Sequence, residues 1–273
     1  MSVLLCAFPS PARNPDALAE IEGVIPASRL VARPQPETIA TGIPQVDELT
    51  GGVPRGGLTE IFGPVSSGRT SLLFSLLAQV TAREEVCALV DASDAFDPHS
   101  AAAAGVDLKR VLWVRCSKVS HFKFQVSSNP RQTRNVKRET FSRVEQALRA
   151  ADLLLQAGGF GLVAMDLGDV PSVIARRVPL TSWFRFRRAV ENTATALVVV
   201  EQEASAKSCA SLVLKHSAVS TQHSAKTSGL KPSHTQLLQG MQTEVEVMDS
   251  RIWQRKPVRS AVTAFESRAL LFG

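Results

Sequence analysis

Apolar residues along this chain fall into two rhythms. The first is a set of short apolar-rich runs: Leu58-Thr59-Glu60-Ile61-Phe62, Val86 to Asp91, Val111 to Cys116, Leu162 to Asp166 and Ala196 to Val200. Runs this short, bounded by turn-forming or charged residues, predict strands buried on both faces. The second rhythm repeats at three and four residues and predicts helices over Thr70 to Thr81, near Ser100–Ala104, over Arg138 to Ala157 and over Leu180 to Asn192. Strands alternating with helices imply an α/β fold: a mostly parallel twisted sheet with helices on both faces. Two later runs, Ser211–Leu214 and Glu244–Met248, have no helix between them. They predict antiparallel strands near the C-terminus.

The flanks differ in character. Asn14 to Glu22 predicts a short helix, with Asn14 as cap and Pro15 at the first helical position. Arg33-Pro34-Gln35-Pro36 is a Pro-containing linker. The expected organisation is an N-terminal helical appendage and linker over 1–37, a core over 38–265 and a tail over 266–273. Ala218 to Pro232, rich in Ser, Thr and Lys, predicts a mobile loop. The apolar Leu270-Leu271-Phe272 fits a tail packed on its own domain, or a short docking peptide.

Composition narrows the class. At 273 residues and 44% hydrophobic, the chain can bury one large core. It contains no apolar run long enough to span a bilayer, and Met1 to Phe8 lacks the basic leader of a secretory signal. A cytoplasmic protein is the expectation. The cysteines Cys6, Cys87, Cys116 and Cys209 are scattered without a C-x-x-C pair, which favours small buried hydrophobes over zinc or disulfides. The net charge of +6 is modest, but its distribution is not even. Lys118 to Arg138 and Ala204 to Thr243 hold no acidic residue, and a third cluster comprises Arg176, Arg177, Arg185, Arg187 and Arg188. These segments predict contact with a polyanion, with Arg176, Arg177, Lys207, Lys215 and Lys226 as candidate DNA-binding residues. Solvated loops and helix faces are the plain alternative.

The chemistry concentrates in Gly63-Pro64-Val65-Ser66-Ser67-Gly68-Arg69-Thr70-Ser71. This is the spacing of a phosphate-binding loop, G-x-x-x-x-G-K-[ST], with arginine in place of lysine. Glycines let the backbone wrap an anion, successive N–H groups form a nest, and the following helix adds its positive end. Thr70 would offer a hydroxyl to magnesium. Arg69 keeps the charge but replaces a compact ammonium by a planar fork. A strand before and a helix after set this loop apart from an ordinary Gly/Ser turn. Asp166, ending a strand, is the candidate second magnesium ligand. Gln202 ends another strand on the same expected edge, where an open α/β sheet places its ligand. The candidate nucleotide-binding set is Gly63, Ser66, Ser67, Gly68, Arg69, Thr70, Ser71, Asp166 and Gln202, with ATP and Mg2+ as cofactors and no catalytic residue assigned.

Together these segments resemble the RecA recombinase core. Thr41-Gly42-Ile43-Pro44-Gln45-Val46-Asp47, Gly52-Val53-Pro54-Arg55-Gly56 and Glu60-Ile61-Phe62-Gly63-Pro64 follow that family's approach to its phosphate loop. Asp91 to Pro98 and Gly105-Val106-Asp107 match its next block, Asp166 matches its Walker B acid, and Gln202 matches the glutamine that couples nucleotide to DNA-binding loops. The resemblance adds Asp97 to the candidate nucleotide-binding set. The resemblance implies a RecA-like P-loop fold over roughly residues 38–265. It also implies an ATP site between protomers of a filament on single-stranded DNA.

Five parts of that machinery are altered. Besides Arg69, the family's catalytic glutamate is Ser93, which cannot act as a carboxylate base. Asp94 is adjacent but should point the other way. The adenine-stacking aromatic is Ser100, and the chain has no tyrosine. A lysine pair that reaches the neighbour's ATP is Asp249 and Arg251, and the second DNA-binding loop is cut to Glu203–Ser208. This pattern resembles ImuA-type accessory proteins of SOS mutagenesis and translesion synthesis, as do Ile21-Glu22-Gly23 before Ile25-Pro26 and Arg185 to Asn192. That resemblance implies translesion polymerase partners, an ImuB-like polymerase homologue and a replicative-type, DnaE-like polymerase. It also implies homo- or hetero-oligomers with RecA-like partners. Two other readings stay open: an active DNA-dependent ATPase recombinase, and a RecA-fold cell-division or SOS regulator.

Overall fold

The protein is described by a computed structural model covering residues 36–116, 130–218, 240–250 and 262–268. The expected helix at Asn14–Glu22, Lys226, Arg251 and Leu270–Phe272 lie outside the described residues, as does the Ala218–Pro232 loop beyond Ala218. An eight-stranded sheet forms the centre. In chain order its strands are β3 (Leu58–Phe62), β4 (Cys87–Asp91), β5 (Val111–Arg115), β6 (Leu162–Asp166), β7 (Ala196–Glu201), β8 (Leu212–Ala218), β9 (Gly240–Ser250) and β10 (Val262–Arg268). A short antiparallel pair, β1 (Thr38–Ile39) and β2 (Val53–Pro54), precedes them. The spatial order is β10-β9-β8-β3-β7-β6-β4-β5. All neighbours from β8 to β5 pair in parallel, and β8-β9-β10 continue antiparallel.

The helices are α1 (Pro44–Thr50), α2 (Arg69–Ala82), α3 (Pro98–Ala103), α4 (Pro130–Ala157), α5 (Ser172–Ala175) and α6 (Leu180–Val190). Strand alternation decides which helices each face receives. Ile61, Leu89, Leu162, Ala164 and Val198 join Leu72, Leu76 and Leu77 of α2 in one core. Leu58, Ala88, Val163, Met165 and Val199 join Ala147 and Ala151 of α4 and Trp183 and Phe186 of α6 in the other. The mostly parallel α/β sheet with helices on both faces is thus as expected. Three differences stand out. The long helix begins at Pro130, eight residues earlier than the apolar periodicity reached, because polar turns carry no hydrophobic signal. β8 and β9 outrun their apolar cores, since ladder bonds to a neighbour continue past the buried stretch. The pair β1–β2 is too short for periodicity to show. Cys87, Cys116 and Cys209 are buried and unbridged; burial pushes the Cys87 thiol up to about 12 and Cys116 to about 11. They behave as hydrophobes.

The topology fixes where chemistry can occur. β3, β7, β6 and β4 run parallel, so their C-terminal ends open on one edge. That edge receives Phe62 and the loop beyond it, Asp91, Asp166 and Glu201-Gln202.

Candidate functional site

The loop between β3 and α2 takes the expected path. Gly68 caps α2 at φ 90° and Ser66 sits at φ 61°, so both adopt the left-handed backbone that curls the chain around an anion. The first amides of α2 have no carbonyl one turn behind them. Thr70 and Ser71 are exposed at that end. Gly63 is required by packing: a Cβ there would stand 2.2 Å from the His216 carbonyl oxygen and 2.8 Å from Ser67 Oγ.

Arg69 is turned inward. Its side chain is buried, and Nη1 donates to the Glu201 carbonyl at 2.5 Å. Nη1 and Nη2 both reach the Gly168 carbonyl at 3.4 Å. Burial pulls the guanidinium below its ordinary value, while Asp166 and Asp169 work in the opposite direction. The planar fork therefore ties the start of α2 to the ends of β6 and β7. Gln202 Nε2 donates to the same Gly168 carbonyl at 3.1 Å. Arg69 and Gln202 thus meet on one oxygen.

Asp166 lies in this cluster. It accepts the Gly168 amide at 2.8 Å. Desolvation pushes its carboxyl up to about 6, opposed by that hydrogen bond, raised further by Asp91 and Asp169 and lowered by Arg69. The loop amides and Thr70 fit a phosphate chain. Magnesium at Asp166 fits poorly, because it would stand beside the fixed guanidinium charge. Among the described residues no group of three or more His, Cys, Asp or Glu is gathered for a metal.

The segment after β4 contains no spare carboxylate. Asp91 is buried and fully used: Oδ1 accepts from the Ser93 and Ala95 amides, and Oδ2 from the Phe96 amide and Trp113 Nε1. Asp94, at φ 58°, takes Arg115 through two bonds of 2.6 and 2.7 Å. Asp97 is the N-cap of α3, accepting from the His99 and Ser100 amides and the Ser100 hydroxyl. Those bonds hold its carboxyl below the usual range.

The basic candidates divide. Arg176 pairs with Glu203, Arg187 Nη1 donates to the Ser208 carbonyl at 3.3 Å, and Lys207 lies in the 3-10 turn Lys207–Cys209. Arg177 is exposed beside Arg176. Arg176 and Arg187 therefore both contact one segment, 203–209, which itself carries Lys207. Lys215 points elsewhere, to Glu246 across the β8–β9 ladder at 3.5 Å.

Three residues that pattern reading passed over belong to this edge. Glu60 and Glu201 are fully buried carboxyls on adjacent strands. His216 is fully buried on β8, and burial lowers it to about 4, against the raising effect of the Ser67 backbone beside its ring. The available signal was a charged residue inside an otherwise apolar strand, which is costly unless it has a task.

Comparison with known proteins agrees with this geometry. Residues 27–119 match the RecA N-terminal domain. Protein RecA of Synechococcus sp. (strain CC9902) is 48% identical over 82 residues, 30% of this chain and 22% of that protein. Protein RecA of Wigglesworthia glossinidia brevipalpis is 28% identical over 182 residues, covering 61% and 47%. Protein RecA of Borrelia hermsii (strain HS1 / DAH) is 35% identical over 132 residues, covering 48% and 30%. The chain spans less than half the length of these curated relatives. The matches support a RecA-like family, in keeping with the RecA-like fold of the core. No helix among the described residues is long and apolar enough to cross a membrane.

Proposed function

We propose that this protein is a RecA-like factor of DNA repair and recombination that acts as an accessory rather than a motor. It binds single-stranded DNA through the basic edge around 203–209, and holds ATP weakly, without efficient hydrolysis. The observation that carries this reading is the Arg69 guanidinium, spent on the Glu201 and Gly168 carbonyls. A P-loop motor needs a cation on the β/γ-phosphates and a carboxylate to activate water. Here the cation is committed to backbone. Asp91, Asp94 and Asp97 are committed to the Ser93–Phe96 turn, Arg115 and the α3 cap respectively.

The ImuA-like pattern of departures is what supports the proposed partners, translesion polymerase components and RecA-like oligomers in the cytoplasm, as part of the SOS response. The competing reading is an active DNA-dependent recombinase, favoured by the 48% identity to a RecA protein across part of the chain. ATP hydrolysis by the purified protein, with and without single-stranded DNA, separates the two. Absent turnover with retained salt-sensitive DNA binding supports the accessory role. DNA-stimulated turnover overturns it. Arg69→Lys with Ser93→Glu tests whether the two missing groups suffice to restore hydrolysis.

A further inference from the structure

Glu60 and Glu201 are buried carboxyls beside the open edge that the proposed nucleotide site does not use. In the β3–β7 register Glu60 stands opposite Val199 and Phe62 opposite Glu201, so the two side chains are diagonal neighbours on one face. Both are 0% exposed. Two carboxylates this close and this dry cannot both be charged. The hydrogen bonds show how the charge is divided. Glu60 Oε1 accepts the Ser205 amide and, at 2.8 Å, the Ala206 amide, as an ionised carboxylate does. Glu60 Oε2 has no donor among the described residues, although it is buried. A proton on Glu201 supplies that donor, because the two carboxyls lie within hydrogen-bonding reach of each other. The Ser205 hydroxyl completes the arrangement, 2.7 and 2.9 Å from the Glu201 oxygens.

We propose that Glu60 and Glu201 hold one proton between them, and that this carboxyl–carboxylate clasp fixes the segment after β7 and releases it when the proton is lost. Glu201 stands at a junction. Its side chain holds Ser205, while its carbonyl accepts the Gly63 amide at 3.2 Å and the Arg69 guanidinium. The clasp therefore connects the phosphate loop to the segment that Arg176 and Arg187 contact and that carries Lys207. Loss of the proton to solvent leaves two like charges in a dry site, and repulsion breaks the hold on Ser205 and Ala206.

The surrounding groups leave the pair to itself. Burial and mutual repulsion drive Glu201 well above the usual carboxylate range, and burial also raises Glu60. From α2, Arg69 reaches the Glu201 carbonyl and not its carboxyl. On the β6 side, Asp166 and Asp169 face Arg69. On the helical side, Arg176 is taken by Glu203 and Arg187 by the Ser208 carbonyl. Lys207 follows within the segment, and His216 on β8 is held neutral by burial.

The test is amide hydrogen exchange of the full chain, without nucleotide or DNA, from acid to alkaline pH. Protection of 203–209 is read relative to β6 amides, which report global opening, after correction for chemical exchange rates. Protection of the Ser205 and Ala206 amides should fall by at least about tenfold as pH rises through the pair's titration. Glu201→Gln keeps an acceptor for the Ser205 hydroxyl and offers an N–H to Glu60, so it should stay protected across the range. Ser205→Ala removes bonds that favour ionised Glu201, so its opening should move to higher pH; it serves where Glu201→Gln does not fold. Protection of 203–209 that does not change with pH, or a full pH response in Glu201→Gln, would overturn the proposal. Neither outcome bears on ATP turnover, so failure here is distinct from failure of the accessory role.

Discussion

Truncating Arg69 is the sharpest perturbation of this edge. In Arg69→Ala the Gly168 carbonyl keeps the Gln202 amide group and the Glu201 carbonyl keeps the Gly63 amide. No acceptor is orphaned, so the loss is that of the charged bonds alone. A hydrogen bond to a charged group contributes roughly 1.5–3 kcal/mol. The Glu201 contact at 2.5 Å is a full bond, and the two 3.4 Å contacts to Gly168 are weak. Opposing this is the desolvation of a buried guanidinium, several kcal/mol before Asp166 and Asp169 offset it. The expected net destabilisation is about 2 kcal/mol. In a domain of this size that lowers Tm by roughly 4–8 °C. Arg69→Lys keeps the stem and the charge but cannot fork to two carbonyls, so it should lose about 1 kcal/mol. Lysine should also be free to meet a phosphate. ATP–magnesium should therefore raise the Tm of Arg69→Lys more than that of the unmodified protein, its stabilisation tending toward about 2.7 kcal/mol at a hundredfold excess over Kd. Denaturant unfolding and thermal scans, each with and without nucleotide, provide the measurement. An Arg69→Ala protein as stable as the parent, or an Arg69→Lys protein with no added nucleotide response, would refute the tether.

Gly63→Ala should lose about 1–3 kcal/mol, because its methyl group must displace the His216 backbone; unchanged denaturant midpoints would contradict this. His216 is neutral when folded down to about pH 4, whereas the unfolded chain protonates near its ordinary value of 6.5. The unfolded state therefore binds more protons in that window, and His216 removes up to about 3 kcal/mol of stability as pH falls through it. His216→Leu should flatten that part of the stability profile, and a profile parallel to the parent's would count against it. Arg176→Ala and Lys207→Ala should each weaken single-stranded DNA binding and reduce the log–log salt slope by about 0.7, whereas Lys215→Ala should leave it unchanged. Equal losses at all three positions would mean that the basic edge is not the binding surface.

The chain's own pattern determined the framework. Leu162–Asp166 appears at the expected bounds because a strand buried on both faces is close to continuously apolar, and Leu58–Phe62 does so even with Thr59 and Glu60 inside it. The phosphate loop was legible because its glycine spacing is a local backbone requirement, met by Gly68 at φ 90°. Ser93 is read as a missing base only through the resemblance to the RecA core, which has a glutamate at that position. Where Arg69 points was not legible: its partners are carbonyls of residues 168 and 201, and backbone groups carry no sequence signal until the sheet brings β6 and β7 beside α2. The same reason hid the clasp. Glu60 and Glu201 are separated by most of the core in sequence and become diagonal neighbours only through the parallel β3–β7 register. It also divided the basic residues, gathering Arg176, Arg187 and Lys207 at one segment while the β8–β9 ladder gave Lys215 to Glu246. Local periodicity and motif spacing are properties of a few adjacent residues. The fate of a charge depends on which partners, close or remote in the chain, folding brings within hydrogen-bonding reach.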